Sequence, residues 1–126
     1  MIQQGTTIQI IDNSGVKNVK FIKFLGGANK RRNFHGDVIK ASVSELTIGK
    51  TKNNILRKGA LVYCYLVTTQ LFTKRRSGER IKVMKNGALV IDKHGMPLGT
   101  KAIGCIVKEF RDKKSLKILS LISNIL

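Results

Sequence analysis

The chain has 126 residues, 42% of them hydrophobic, and sets 24 Lys and Arg against 7 Asp and Glu, a formal charge of +17 at neutral pH. That length and apolar content suit one folded domain over residues 1–126, burying about two thirds of the unfolded surface, and exclude a disordered basic tail. The charge calls for a polyanionic partner, and since no stretch approaches the roughly 18 apolar residues of a spanning helix, nucleic acid is favoured and membrane insertion set aside.

In chain order, residues 6–11 alternate apolar Ile8 and Ile10 with Thr7 and Gln9, a strand that stops at the turn cluster Asp12-Asn13-Ser14-Gly15. A second strand runs over 19–25, with Phe21, Ile22 and Phe24 broken by Lys20 and Lys23, and ends at Gly26-Gly27; a third covers 38–46. Between them lies a polar loop with the run Lys30-Arg31-Arg32. Residues 60–69, with Val62, Tyr63, Tyr65 and Val67, are apolar on both faces and read as a central strand. The basic run over 74–80 reads as a hairpin tip leading into a strand at 81–84, and Asn86-Gly87 predicts a tight hairpin from that strand into 88–91. Residues 98–107 are apolar and punctuated by Gly99 and Gly104, which predicts a further strand. From Asp112 on, Leu116, Leu119, Ile122 and Ile125 recur at helical spacing, with Asp112 or Ser115 as cap and Lys113, Lys114 and Lys117 facing solvent. The whole predicts a small β-barrel with a helical cap.

Catalytic chemistry is thin. Asp12, Asp37, Glu45, Glu79, Asp92, Glu109 and Asp112 are scattered, with no spacing that pairs two as acid and base or as metal ligands. His35 and His94 sit in loops beside Gly, where phosphate contact or plain exposure is expected. Cys64 and Cys105 lie in apolar segments as small buried hydrophobes, and together with the histidines they lack zinc-ligand spacing. No metal, no cofactor and no enzymatic activity are expected. The first residues resemble neither a secretory signal nor a transit peptide, so the protein is expected to be made where it works.

The basic residues cluster at Lys30, Arg31 and Arg32, from Lys50 and Lys52 to Lys58, from Lys74 through Arg75 and Arg76 to Arg80, and from Arg111 to Lys117. Four such runs with few acids would repel one another unless phosphates lay between them. Phe34 and Phe72 are the candidate exposed rings, while Phe21, Phe24, Tyr63 and Tyr65 read as internal, a poor stacking track for single strands. Folded RNA, read by shape and phosphate, fits better.

Five segments carry a resemblance: Asp12-Asn13-Ser14-Gly15-Val16, Leu25-Gly26-Gly27, Gly36-Asp37-Val38-Ile39-Lys40, Pro97-Leu98-Gly99-Thr100-Lys101 and Lys117-Ile118-Leu119-Ser120-Leu121. In order and spacing they resemble the universal L-fourteen family of large-subunit ribosomal proteins, over essentially the whole chain. The resemblance implies a mainly β fold: a small five-stranded β-barrel with a projecting β-ribbon and short C-terminal helices. It implies binding to large-subunit rRNA, contact with neighbouring large-subunit ribosomal proteins, and bridges to small-subunit rRNA in which Thr100 and Lys101 would face the intersubunit interface. A ribosome-silencing factor docking on the same face is a further implied partner. The Asp12 turn would be a structural corner. The pattern departs from the family at Thr68-Thr69-Gln70-Leu71, where Arg-Thr-Lys-Lys is usual, at Val83 in place of an aromatic, at Lys101 in place of Arg, and at Cys105 in place of Pro.

The leading reading is a structural constituent of the large subunit whose Lys30, Arg31, Arg32, Lys50, Lys52, Lys74, Arg75, Arg76, Arg80 and Arg111 contact rRNA. The alternative is a free-standing barrel that binds nucleic acid, as a translation factor or RNA chaperone would. Lys outnumbers Arg and Ile and Asn are abundant, as an AT-rich gene gives. This points to a mitochondrial ribosome, with a plastid or the bacterial cytoplasm as alternatives.

Overall fold

The structure, a computed structural model, describes residues 2–25, 36–47, 56–108, 116–122 and 124–125. Lys30, Arg31, Arg32, Phe34, His35, Lys50, Lys52, Arg111 and the expected helix start at 112–115 lie outside the described residues.

Five strands close a barrel: β1 (Thr7–Ile10), β2 (Val16–Phe24), β3 (Val38–Leu46), β4 (Leu61–Thr68) and, after an excursion, β7 (Gly87–Ile91). Neighbours pair antiparallel, except that β7 closes on β1 in parallel, Ile10 opposite Ala88. The interior is filled by the inward halves of the alternating strands: Ile8 and Ile10, Ile39, Ala41 and Val43, Val62, Cys64 and Leu66, Ala88 and Val90. On β2 the buried residues are Val16, Val19 and Phe21, a spacing that simple alternation cannot produce. Register shifts against β3 between Val16 and Val19, and again between Phe21 and Lys23, reset which side chain faces inward.

Strands β4 and β7 are buried on both faces, as the unbroken apolar run of β4 predicts. Their outward residues Tyr65, Val67, Leu89 and Ile91 meet Ile106, Ile118 and Ile122 in a second cluster outside the barrel. The latter residues belong to the C-terminal segment, where β8 (Cys105–Ile106) pairs in parallel with β9 (Asn124–Ile125) and α1 spans Leu116–Leu121. This layer departs from the helical reading of the tail. The buried pair is Ile118 and Ile122, with Leu119 and Leu121 half-buried and Lys117 exposed, and the chain turns to strand at Ile125 to pair with Ile106.

Residues 75–79 form the tip of the ribbon of β5 (Thr73–Lys74) and β6 (Arg80–Ile81). Two further expectations are corrected here. The strand at 81–84 ends at Ile81, and Asn86-Gly87 is no hairpin turn, because Gly87 starts β7, whose partners are β4 and β1. A Cβ on Gly87 would stand 2.7 Å from Thr68 Oγ1 and 3.1 Å from Ile11 Cγ2, so close approach, and no turn, is what requires glycine there. Likewise residues 98–107 form a strand only at Cys105–Ile106. Ahead of it the segment is tied by single bridges, Pro97 to Ile91 and Ala102 to Asp12, because it crosses the end of the barrel and does not run along one strand. Among the described residues no helix is long and apolar enough to cross a membrane.

Candidate nucleic-acid interface

Two exposed structures carry described candidate residues, and each is fixed to the barrel by identifiable polar groups. The first is the loop of Thr100 and Lys101. Its anchor is the turn after β1. Asp12 Oδ1 accepts hydrogen bonds from the Ser14 N–H and hydroxyl at 3.1 and 2.6 Å, and Oδ2 accepts one from the Val90 N–H of β7 at 3.1 Å. The carboxylate thus takes over, for one bond, the place of β1 where its ladder with β7 runs out. Burial raises the Asp12 pKa, a cost that these three hydrogen bonds only partly offset.

Asn13 then grips the loop. Its Oδ1 accepts from the N–H groups of Thr100 and Lys101 at 2.8 and 3.3 Å, its Nδ2 donates to Thr100 Oγ1 at 2.9 Å, and its own N–H donates to the Lys101 carbonyl at 3.2 Å. Gly99 passes so close that a Cβ would lie 2.9 Å from Asn13 Oδ1 and 3.0 Å from Asp12 Cβ. The outcome is a stiff, exposed loop end displaying Thr100 and Lys101, with Ile103 beside them 86% exposed. Asp12 to Gly15 is therefore the corner that the resemblance implied, but Asn13 as a clamp was not foreseen. An Asn in a turn cluster is its only mark in the sequence, since the partner lies 87 residues on.

The second structure is the ribbon. Thr73 pairs with Ile81 and Lys74 with Arg80, and the tip is closed by the Arg75 N–H donating to the Glu79 carbonyl at 2.9 Å and the Gly78 N–H to the Arg75 carbonyl at 3.0 Å. Lys74, Arg76 and Arg80 are exposed. Arg75 is half-buried, with Nη1 4.0 Å from Glu79 Oε2, so part of its charge is already engaged within the tip. At the base, Gln70 holds the returning chain: its N–H donates to Asn86 Oδ1 at 3.0 Å and its Nε2 to the Met84 carbonyl at 2.8 Å. Next to this backbone clamp stands Phe72, 64% exposed beneath the Lys82 ammonium at 5.1 Å.

Apart from Glu79, the described carboxylates lie outside the ribbon. Glu45 binds Lys17 at 2.9 Å and accepts from Asn18, which holds its pKa below the ordinary value. Asp92 Oδ1 accepts from the Met96 and His94 N–H groups at 2.8 and 2.9 Å, and those bonds, the Met96 one foremost, lower its pKa. Asp12 and Asp37 are largely or wholly buried. Glu45 is thus engaged by Lys17 and Asn18, Asp92 by its own turn, and Asp12 by Ser14 and Val90. A groove of about 490 Å³ between Tyr63, Tyr65 and His94 contains Asp92, but that carboxylate is committed to its own turn. Burial pushes the Cys64 thiol up to about 12, leaving it a core hydrophobe without nucleophilic character. Among the described residues no three His, Cys, Asp or Glu side chains are grouped to hold a metal ion.

Fold and surface together are those of a closed barrel that presents a basic ribbon and an anchored loop displaying Thr100 and Lys101. A comparison with protein-family models agrees: the one for ribosomal protein L14p/L23e matches residues 1–126, the entire chain.

Proposed function

Since the chain belongs to that family and is a ribosomal protein of the large subunit, we propose that it acts without catalysis, binding large-subunit rRNA through its basic projections and contributing to the interface with the small subunit. The observation that carries this is the ribbon. Lys74 and Arg80 stand on paired backbone and Arg76 in the tip between them, and the neighbouring acid Glu79 is turned to Arg75. Fixed, uncompensated cations are the form in which a protein meets phosphates, and a rigid mount lets those contacts set register and orientation. Lys30, Arg31, Arg32, Lys50, Lys52 and Arg111 are further rRNA contacts in this reading, from their basic runs in the sequence.

The 97–101 loop is the intersubunit element of this reading. Its support is the Asn13 clamp, which spares Thr100 and Lys101 the ordering cost that a loose loop would incur on meeting small-subunit rRNA. The exposed Ile103 beside them offers apolar area to a neighbouring ribosomal protein or a silencing factor. The mitochondrial ribosome is the setting we favour, on the AT-biased composition.

The test is binding of the purified chain to deproteinised large-subunit rRNA over a range of salt. Affinity should fall by about 0.7 to 0.9 decades per decade of salt for each phosphate neutralised, and Lys74→Ala, Arg76→Ala and Arg80→Ala together should flatten that slope by about two to three such units. A slope that is flat, or unchanged in the triple variant, refutes the phosphate mechanism.

A further inference from the structure

Side chains on a two-stranded ribbon alternate between its faces, so the pairings of Thr73 with Ile81 and Lys74 with Arg80 sort the whole element. Continuing the register by one residue sets Phe72 opposite Lys82, and the 5.1 Å separation of the ammonium from the ring centre agrees. One face therefore carries Phe72, Lys74, Arg80 and Lys82, all exposed. The other carries Thr73 and Ile81, both half-buried, and the Arg75 and Glu79 pair. The single described carboxylate of the ribbon is thus on the far side from Phe72. A solvent-exposed phenyl ring framed by three cations, with the ribbon's described acid on the opposite face, has the makeup of a base-stacking site.

We propose that Phe72 is a stacking platform for an unpaired RNA base, with Lys74, Arg80 and Lys82 holding the phosphates on either side of it. The inference rests on the rRNA-binding reading and deepens it. The ribbon's cations alone would follow any backbone, whereas the ring adds a position at which the RNA must present an unstacked nucleotide. In the free protein the Lys82 ammonium lies over the ring; on binding, the base takes that face and the ammonium moves to the adjoining phosphate, so neither group is left without a partner. Gln70, bonded to Asn86 and to the Met84 carbonyl, fixes the base of the ribbon and with it the ring's position.

The experiment compares the full-length chain with Phe72→Ala, Phe72→Leu and Phe72→Tyr for binding to deproteinised large-subunit rRNA at low and high salt. Phe72→Ala and Phe72→Leu should each weaken binding by about 5- to 100-fold, by the same factor at every salt concentration and with the salt slope unchanged, while Phe72→Tyr stays within about twofold of the parent. Phe72 is exposed, so urea midpoints should not move. Leucine binding as well as phenylalanine overturns the proposal, since stacking requires the aromatic face. So does a Phe72→Ala variant that binds rRNA normally yet fails to enter large subunits, which would make the ring a protein contact. If the parent chain itself shows no salt-dependent binding, the underlying rRNA reading fails; parent binding with indifferent Phe72 variants sinks the stacking site alone.

Discussion

Replacing Asp12 by Ala tests how the barrel is joined to its exposed loop. The carboxylate is the acceptor for the Val90 N–H, on a residue with no exposed surface, and for the Ser14 N–H, on a residue that is also buried. Alanine orphans both donors in places that water reaches poorly, at about 1–3 kcal/mol each. Against this stands the relief of a buried charge, since burial already raises the Asp12 pKa. The net expectation is a loss of about 2–4 kcal/mol, or roughly 8–16 °C in Tm for a domain of this size. Urea unfolding followed by circular dichroism gives the stability, and amide exchange at Val90 reports the bond itself. Asp12→Asn should fall between parent and alanine, because one amide oxygen still accepts while the NH₂ opposes the remaining donor. A loss below about 1 kcal/mol in Asp12→Ala, with Val90 still protected, would refute the view that this side chain substitutes for a strand.

Asn13→Ala should speed hydrogen exchange at the Thr100 and Lys101 amides while costing only about 1 kcal/mol globally, since the bonds are exposed; unchanged protection there would dismiss the clamp. Gly87→Ala should destabilise by about 1–3 kcal/mol by forcing Thr68 Oγ1 off its bond to the Lys85 carbonyl. Thr68→Ala in the same chain should recover part of that loss in a double-mutant cycle, and strict additivity would show that the crowding is not between these two groups. The pKa of Asp92 is lowered in the folded state, so its stabilisation is present above its ordinary value of 3.8 and disappears as pH falls through the lower folded value. The stability gap between parent and Asp92→Ala should accordingly be constant above about pH 5 and close in acid; a gap that widens in acid would reverse the sign. Asp12, raised by burial, follows the opposite course: its contribution is greatest below the unfolded value and declines as pH rises through the folded one.

Strands β1, β3 and β4 were legible because each carries its own pattern, alternation in the first two and apolar residues on both faces in the third. The ribbon tip was legible from its charges and Gly78. What failed was inference from a local pair to a local partner. Asn86-Gly87 has the composition of a hairpin turn, yet Gly87 is glycine because Thr68 and Ile11 crowd it from distant parts of the chain. Residues 98–107 are apolar enough for a strand, but they are distributed between a barrel-end crossing and the outer layer, a division that only tertiary packing decides. The tail was read as one helix because Ile125 keeps the helical period; its pairing beside Ile106 is non-local. On the functional side, type and place in the sequence single out Lys74, Arg76, Arg80, Thr100 and Lys101 as candidates, and the structure leaves all five exposed. Asn13 and the Phe72–Lys82 pair gain their meaning from register and from contacts across the fold, which single positions do not announce.

The central claim is that this charge belongs to a ribosome. The most direct measurement is to tag the protein in its own cells and follow it through sucrose gradients at high salt. The account predicts co-sedimentation with large subunits that survives the salt, because a folded barrel seated among rRNA and proteins has many simultaneous contacts. A soluble pool, released at modest salt and absent from the large-subunit peak, would contradict it.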